Sequence, residues 1–262
     1  MNAKMNTRQI LALYDQEQRR DIEYPDARRE VAPPVIREID HAGERSFISY
    51  SQLEGQDVNR VIDEQIRYFE SLGHDFEWKV FSHDYPADLK ERLAARGFEI
   101  EEEETILVLD LQNAPDKLLE PVPPNVRRIV DPAGIDDVLL VETTVWNEAM
   151  SWLGDRLRHA LRNIPEYLSV YVAYVDDRPV SSAWIMFPKG HFAGLWGGST
   201  LEAYRGQGLY TALLAVRVQE ARSRGVRYLT IDASPMSRPI VEKFGFQVIA
   251  MSTPCVWYVK RD

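Results

Sequence analysis

The chain has 262 residues, with 41 acidic against 31 basic side chains and a formal net charge of −10. That charge disfavours non-specific contact with nucleic acid or an anionic membrane surface, so neither is expected as a partner, and no apolar run approaches the ~20 residues a spanning helix needs. Hydrophobic residues at 45% and charged residues at 27% suit a soluble globular chain, while a single cysteine, Cys255, excludes an internal disulfide framework; with an N-terminus that lacks a signal-peptide core, a cytoplasmic location is expected.

Residues 7–20 are predicted as a helix with Ile10, Leu11 and Tyr14 on one face, followed by a loop containing Pro25, Pro33 and Pro34. Two short strands follow at 35–39 and 46–50, joined through His41-Ala42-Gly43-Glu44. Residues 58–72 form a second helix with Val61, Ile62, Ile66 and Phe69 as its apolar stripe, and Gly73 stops it. A strand at 77–82, a helix opened by Pro86 and ended at Gly97, and a strand at 105–111 complete the first half. Residues 113–125 contain Pro115, Pro121, Pro123 and Pro124 and are expected to act as a stiff linker.

The second half is predicted to open with a strand at 126–130, a helix containing Ile135, Val138 and Leu139 capped by Asp131, and helical material at 146–161. Strands at 167–175 and 180–187 form a hairpin through Asp176-Asp177-Arg178-Pro179. A strand at 195–201 carries Gly197 and Gly198, which mark a bulge or a close ligand approach. The turn Arg205-Gly206-Gln207-Gly208 then leads into a helix built on Leu209, Leu213 and Val216. A short apolar strand ends at Asp232, a helix starts at Ser237 and Pro239, and strands at 247–251 and 255–260 close the chain. Asp84, Gly97 and Phe98 each recur 148 residues later, as Asp232, Gly245 and Phe246. Strand, helix and Gly-Phe therefore repeat in order, which suggests that the first half is a worn copy of the second.

The two glycines before the helix at 209 leave backbone amides uncovered where a helix presents positive dipole, which is a seat for phosphate. Arg205 beside them can pair with a phosphate in two places at once. A dinucleotide motif would place a third glycine at position 211, but Thr211 stands there. His41, His74, His83 and His159 lack zinc spacing, and neither H-E-x-x-H, G-x-S-x-G nor a Walker sequence occurs, so no metal is expected.

The run Arg205-Gly206-Gln207-Gly208-Leu209-Tyr210 resembles the cofactor motif of the GNAT superfamily of acetyl-CoA-dependent N-acyltransferases, with Tyr210 in place of a small residue. Downstream, Val241-Glu242-Lys243-Phe244-Gly245-Phe246 resembles the family's Tyr-Glu-Lys-Leu-Gly-Phe ending, with Val241 in place of the tyrosine that often serves as general acid. The resemblance covers about the last half of the chain. It implies an α+β fold of two GNAT-like domains in tandem, each a mixed, mostly antiparallel sheet flanked by helices. Residues 1–112 would be a degenerate copy, 113–125 the linker, and 126–262 the acetyltransferase domain.

The resemblance further implies acetyl-CoA as co-substrate. The strand backbone at Gly198, Ser199, Thr200 and Leu201 would hold its pantetheine and could supply an oxyanion donor. The turn Arg205, Gly206, Gln207, Gly208, Leu209, Tyr210 and Thr211 would hold its pyrophosphate, with Ser234 and Ser237 as further contacts or plain helix caps. The first half has Gln52-Leu53-Glu54-Gly55-Gln56-Asp57 where that turn would be, and its two acids would repel a diphosphate. The expected reaction is direct attack of a primary amine, from a small molecule or a peptide, on the acetyl thioester. No catalytic residue is assigned: the strand glutamate that some members use would fall near Gly194, and His191 and Glu148 are weak replacements. Trp146, Trp152, Trp184 and Trp196 are weighed as an acceptor pocket or, more simply, as core. The rival reading is a non-catalytic acyl-CoA-binding or sensing protein.

Overall fold

A computed structural model describes residues 6–40 and 46–260; the proposed link at 41–44 lies outside them. The chain divides into two compact units. One comprises Met1–Leu107, Asp232–Pro239 and Val248–Asp262, and the other Val108–Ile231 and Ile240–Gln247. The division therefore differs from a single cut at the proline-rich stretch, because two segments from the end of the chain belong with its beginning.

In the first unit α1 (Thr7–Tyr14) is closed at its start by Asn6, whose side chain accepts from the Gln9 amide, and runs on into a π-helical turn, Asp15–Arg20. Three strands follow, β1 (Ala27–Ala32), β2 (Val35–Asp40) and β3 (Ser46–Ser51), and then α2 (Val58–Leu72), β4 (Phe76–Phe81), α3 (Leu89–Ala94), β5 (Glu99–Ile100) and β6 (Glu104–Asp110), the last of which carries the chain into the second unit. β1 corrects the expected loop. Its sequence Ala-Arg-Arg-Glu-Val-Ala lacks an apolar alternation, and it is held by its antiparallel partner β2. The α2 stripe of Val61, Ile62 and Phe69 packs on Ile48, Phe76 and Trp78, with Phe69 stacked on Phe76 at 4.1 Å between centroids. Gly73 ends α2 in left-handed backbone, as a helix stop requires.

The second unit holds β7 (Val126–Ile129), α4 (Ile135–Trp146), α5 (Ser151–Asn163), β8 (Leu168–Val175), β9 (Arg178–Met186), β10 (Phe192–Thr200), α6 (Leu209–Ser223) and most of β11 (Tyr228–Ala233). α7 (Arg238–Glu242) and β12 (Gln247–Trp257) follow, and β12 pairs antiparallel with β4, setting Cys255 opposite Trp78. β12 is one strand where two were expected, and Trp146 ends α4 rather than opening the next helix. The β8–β9 turn is the two-residue Asp176-Asp177 with φ of +49° and +56°, the conformation that suits a tight hairpin. Pro179 therefore lies within β9.

Strand order is β1-β2-β3-β4-β12 in the first unit and β11-β10-β9-β8-β7 in the second. In each, an antiparallel pair (β2–β3, β9–β10) is followed by a helix and a strand that pairs parallel with the second member (β3–β4, β10–β11). Both pairs carry a bulge on that second member. Ser49 of β3 and Gly198 of β10 have no residue opposite. Gly97 and Gly245, at the two ends of the sequence repeat, share left-handed φ of +95° and +85°. In each unit the strand pairing is mixed and mostly antiparallel, with flanking helices.

Residues 113–125 are not a free linker. Leu118 is fully buried, and the Gln219 side-chain amide on α6 donates to the carbonyls of Leu118 and Glu120. The free thiol of Cys255 is buried, and burial pushes its pKa up to about 12, which makes it unreactive.

Candidate functional site

β10 and β11 pair only over Phe192–Gly194 against Tyr228–Thr230. Beyond Gly194 the two strands part, while β10 stays on β9 through Thr200. The bulge at Gly198 falls in this parted stretch. Gly197 at φ +67° and Gly198 at φ +94° occupy backbone open to glycine, and a Cβ on Gly197 would lie 2.5 Å from the Trp184 ring. The Ser181 hydroxyl donates to the Ser199 carbonyl at 2.6 Å, the Leu201 amide donates to the Val180 carbonyl, and Arg205 Nε donates to the Thr200 carbonyl at 3.2 Å. Several main-chain groups of 199–201 are thus already engaged.

A short 3-10 turn, Glu202–Tyr204, brings the chain round to Gly206 and Gly208, with φ of +75° and +81°. Nothing lies within 4 Å of a Cβ placed on either, so the turn is open on that side. No side chain caps α6, and among the described residues no acceptor meets the amides of Gly206 through Thr211. An uncapped helix start next to an open glycine turn is the arrangement that receives an anion. Tyr210 does not crowd this turn: its ring lies under Gly198, 3.0 Å from where a Cβ would be. Gln207 turns back onto the Ala203 carbonyl at 3.4 Å.

Residues 198–211 are therefore brought together on one strand end and one helix start. Ser234 and Ser237 belong to the first unit, where the Ser237 amide donates to Ser234 Oγ at 3.3 Å and the two hydroxyls lie 3.3 Å apart. Val241 is fully buried, so that position carries no proton chemistry. His191 and Glu148 are exposed. Of the tryptophans, Trp184 belongs to the core cluster and Trp152 packs against that cluster, while Trp146 and Trp196 are 58% and 47% exposed.

Two buried charges in this unit escaped the sequence analysis. Glu142 on α4 is 2% exposed and accepts hydrogen bonds from Ser182 Oγ (2.6 Å), Ser199 Oγ (2.7 Å) and Trp146 Nε1 (3.1 Å). Burial raises its carboxyl above the ordinary range, against those three donors. Arg217 on α6 is 1% exposed and donates to the carbonyls of Leu213, Trp184 and Trp196, and burial lowers its pKa to about 10. Each stands on the apolar face of its helix, seven residues after Ile135 and four after Leu213. A charge at such a position is the signal that would have exposed both. Among the described residues no cluster could hold a metal ion, and no helix is long and apolar enough to cross a membrane.

A mixed sheet with a bulged, parted central strand and an open glycine turn at the following helix defines the class. Residues 111–232 match the family model described as Acetyltransferase (GNAT) domain. Among solved structures, a GCN5-related N-acetyltransferase from Kribbella flavida aligns with a TM-score of 0.69 and 15% identity, over 97% of this chain and 96% of its own. A conserved protein of unknown function from Staphylococcus epidermidis aligns with a TM-score of 0.64 and 14% identity, over 90% and 96%. A tandem GNAT protein from the clavulanic acid biosynthesis pathway aligns with a TM-score of 0.59 and 12% identity, over 100% and 90%. At these identities the likeness is one of fold. No curated protein matches the sequence.

Proposed function

We propose that the chain is an acetyl-CoA-dependent N-acetyltransferase that acts on a primary amine, from a small molecule or a peptide, by direct attack in a ternary complex. One observation carries the reading: β10 parts from β11 beside an uncapped α6 whose amides, from Gly206 to Thr211, have no acceptor among the described residues. These residues fit a diphosphate. The glycines keep the turn open, the α6 dipole favours the negative charge, and Arg205 at the turn adds an exposed cation. The β10 stretch from Gly198 to Leu201 would lie along the pantetheine, and a bulge amide would meet the oxyanion. Ser234 and Ser237 are proposed as further contacts. Acetyl-CoA would supply the acetyl group as a thioester, whose thiol ionises near ~8.5 and leaves readily.

Residues 1–112 would be the degenerate copy and take no acetyl-CoA, with residues 126–262 as the catalytic half. Asp57 caps α2 by accepting from the Arg60 amide, so a carboxylate already occupies that helix start. The split between β3 and β4 is wedged by Arg19, whose guanidinium lies 3.8 Å over the Phe81 ring and 5.6 Å from that of Tyr50. A cytoplasmic protein of this kind would release CoA only when an amine is present. Thiol detection over a panel of primary amines is expected to show amine-dependent, saturable CoA release. Tight acetyl-CoA binding without turnover on any amine would point instead to an acyl-CoA-binding protein.

A further inference from the structure

Glu142 is a buried carboxylate that has no cation. Facing it are Ser182 from β9, Ser199 from β10 and Trp146 from its own helix, and no charged side chain pairs with it among the described residues. A buried charge is normally paired, because desolvating it alone is costly. Here only neutral donors hold it, beside the bulge, and the side chain covering it is the indole of Trp146, which is 58% exposed. Trp146 is the last residue of α4, and Asn147 after it has left-handed backbone at φ +53°, so the indole hangs at a helix end rather than inside packing. Trp196, 47% exposed on β10, is paired in register with Trp184 on the same sheet.

We propose that Glu142 is the seat for the ammonium of the acceptor, reached when the Trp146 indole gives up its hydrogen bond and turns aside. As the site for the acceptor, this rests on the acetyltransferase reading. The ligand class is a primary ammonium carried on an apolar or aromatic stem, because the exposed Trp146 indole beside Glu142 offers a cation a π-face and the stem a wall. An N–H of the ammonium replaces that of Trp146 at Glu142 Oε2. Glu142 then takes one proton, R–NH3+ becoming R–NH2 and the carboxylate becoming the carboxylic acid, and it returns that proton to water afterwards. A primary ammonium near its ordinary pKa of ~10.4 cannot attack until it loses that proton. A carboxylate whose pKa burial has raised is the stronger base for taking it.

The test titrates benzylammonium chloride into the free protein near neutral pH, up to ~50 mM because so small a ligand binds weakly, and follows tryptophan fluorescence. The intact protein should show a saturable change, tetramethylammonium (which has a charge for the indole face but no N–H to donate) should bind far more weakly, and Glu142→Gln should weaken benzylammonium binding about tenfold or more. Glu142→Gln keeps the shape, and its amide can still bond Ser182 and Ser199. Because it removes a desolvated charge, it should also raise the melting temperature at neutral pH. The sign follows from the raised pKa: the folded state holds the proton more tightly, so the wild type loses relative stability as pH rises through that window, and the gap closes below the ordinary glutamate value. Equal binding by Glu142→Gln, or no saturable change in the intact protein, would overturn the proposal. Acetyl-CoA titrated into the same proteins keeps the two readings separate. Benzylammonium binding without acetyl-CoA binding would sink the acetyltransferase reading alone, and the reverse would sink the ammonium seat alone.

Discussion

Gly197→Val is expected to destabilise the protein by about 2–5 kcal/mol and to weaken acetyl-CoA binding with it. The left-handed backbone at φ +67° costs an L-residue about 1–2 kcal/mol, and overpacking a filled core adds about 1–3 kcal/mol. The clash cannot be relieved cheaply. The new Cβ would meet Trp184 Cζ3 at 2.5 Å and Cε3 at 2.8 Å, and Trp184 belongs to the buried core cluster of this unit. Either the indole or the β10 backbone must move, and the backbone it would move leads into the bulge at Gly198. Urea unfolding should show a lower midpoint at unchanged slope. Gly206→Ala is the control, since nothing lies within 4 Å of its Cβ and only the backbone strain applies. A loss below about 1 kcal/mol for Gly197→Val, no more than backbone strain alone, would mean that the bulge is not held by the Trp184 ring.

Arg19→Ala is expected to be as damaging in the first unit, by about 3–5 kcal/mol, the range for breaking a buried pair from one side. The guanidinium donates two bonds of 2.8 Å to the Asp84 carboxylate and one of 2.9 Å to Asp15, and it stacks on Phe81. Its removal leaves the Asp84 carboxylate, 6% exposed, with the Phe81 amide as its remaining donor. A cavity of about 450 Å³ already adjoins the group, lined in part by Tyr50, His83 and Asp84, so the site has little to collapse onto. Thermal unfolding reads the loss. A change under about 1 kcal/mol would show that Arg19 acts as a surface ion does.

Where the local sequence sets the structure, reading it was sufficient. Residues 58–72 form a helix with those limits because the Val61-Ile62-Phe69 stripe, the Asp57 cap and the Gly73 stop all agree. The glycines at 197, 198, 206 and 208 announced the bulge and the open turn, since few other residues tolerate that backbone. β1 was missed because an edge strand of Arg and Glu has no alternation to read, and its partner β2 supplies the order. The joining of β12 to β4 depends on a partner far away in sequence, which no local pattern encodes. Glu142 and Arg217 were hidden for a related reason. Each interrupts an apolar helix face, and only the packed sheet reveals that Glu142 meets two serines of β9 and β10 while Arg217 meets main-chain carbonyls.

Whether the turn before α6 holds the diphosphate of acetyl-CoA is decided by calorimetric titration of the intact chain beside Gly208→Trp. Gly208 has no neighbour within 4 Å of its Cβ, so the indole would project into the open side of the turn, and the left-handed φ of +81° adds only the backbone strain of about 1–2 kcal/mol. Micromolar binding at one site is expected in the intact chain and its loss in the variant, which should still unfold cooperatively, at a temperature lowered only by the backbone strain of about 1–2 kcal/mol. No binding by the intact chain, or equal binding by Gly208→Trp, would contradict diphosphate binding at this turn.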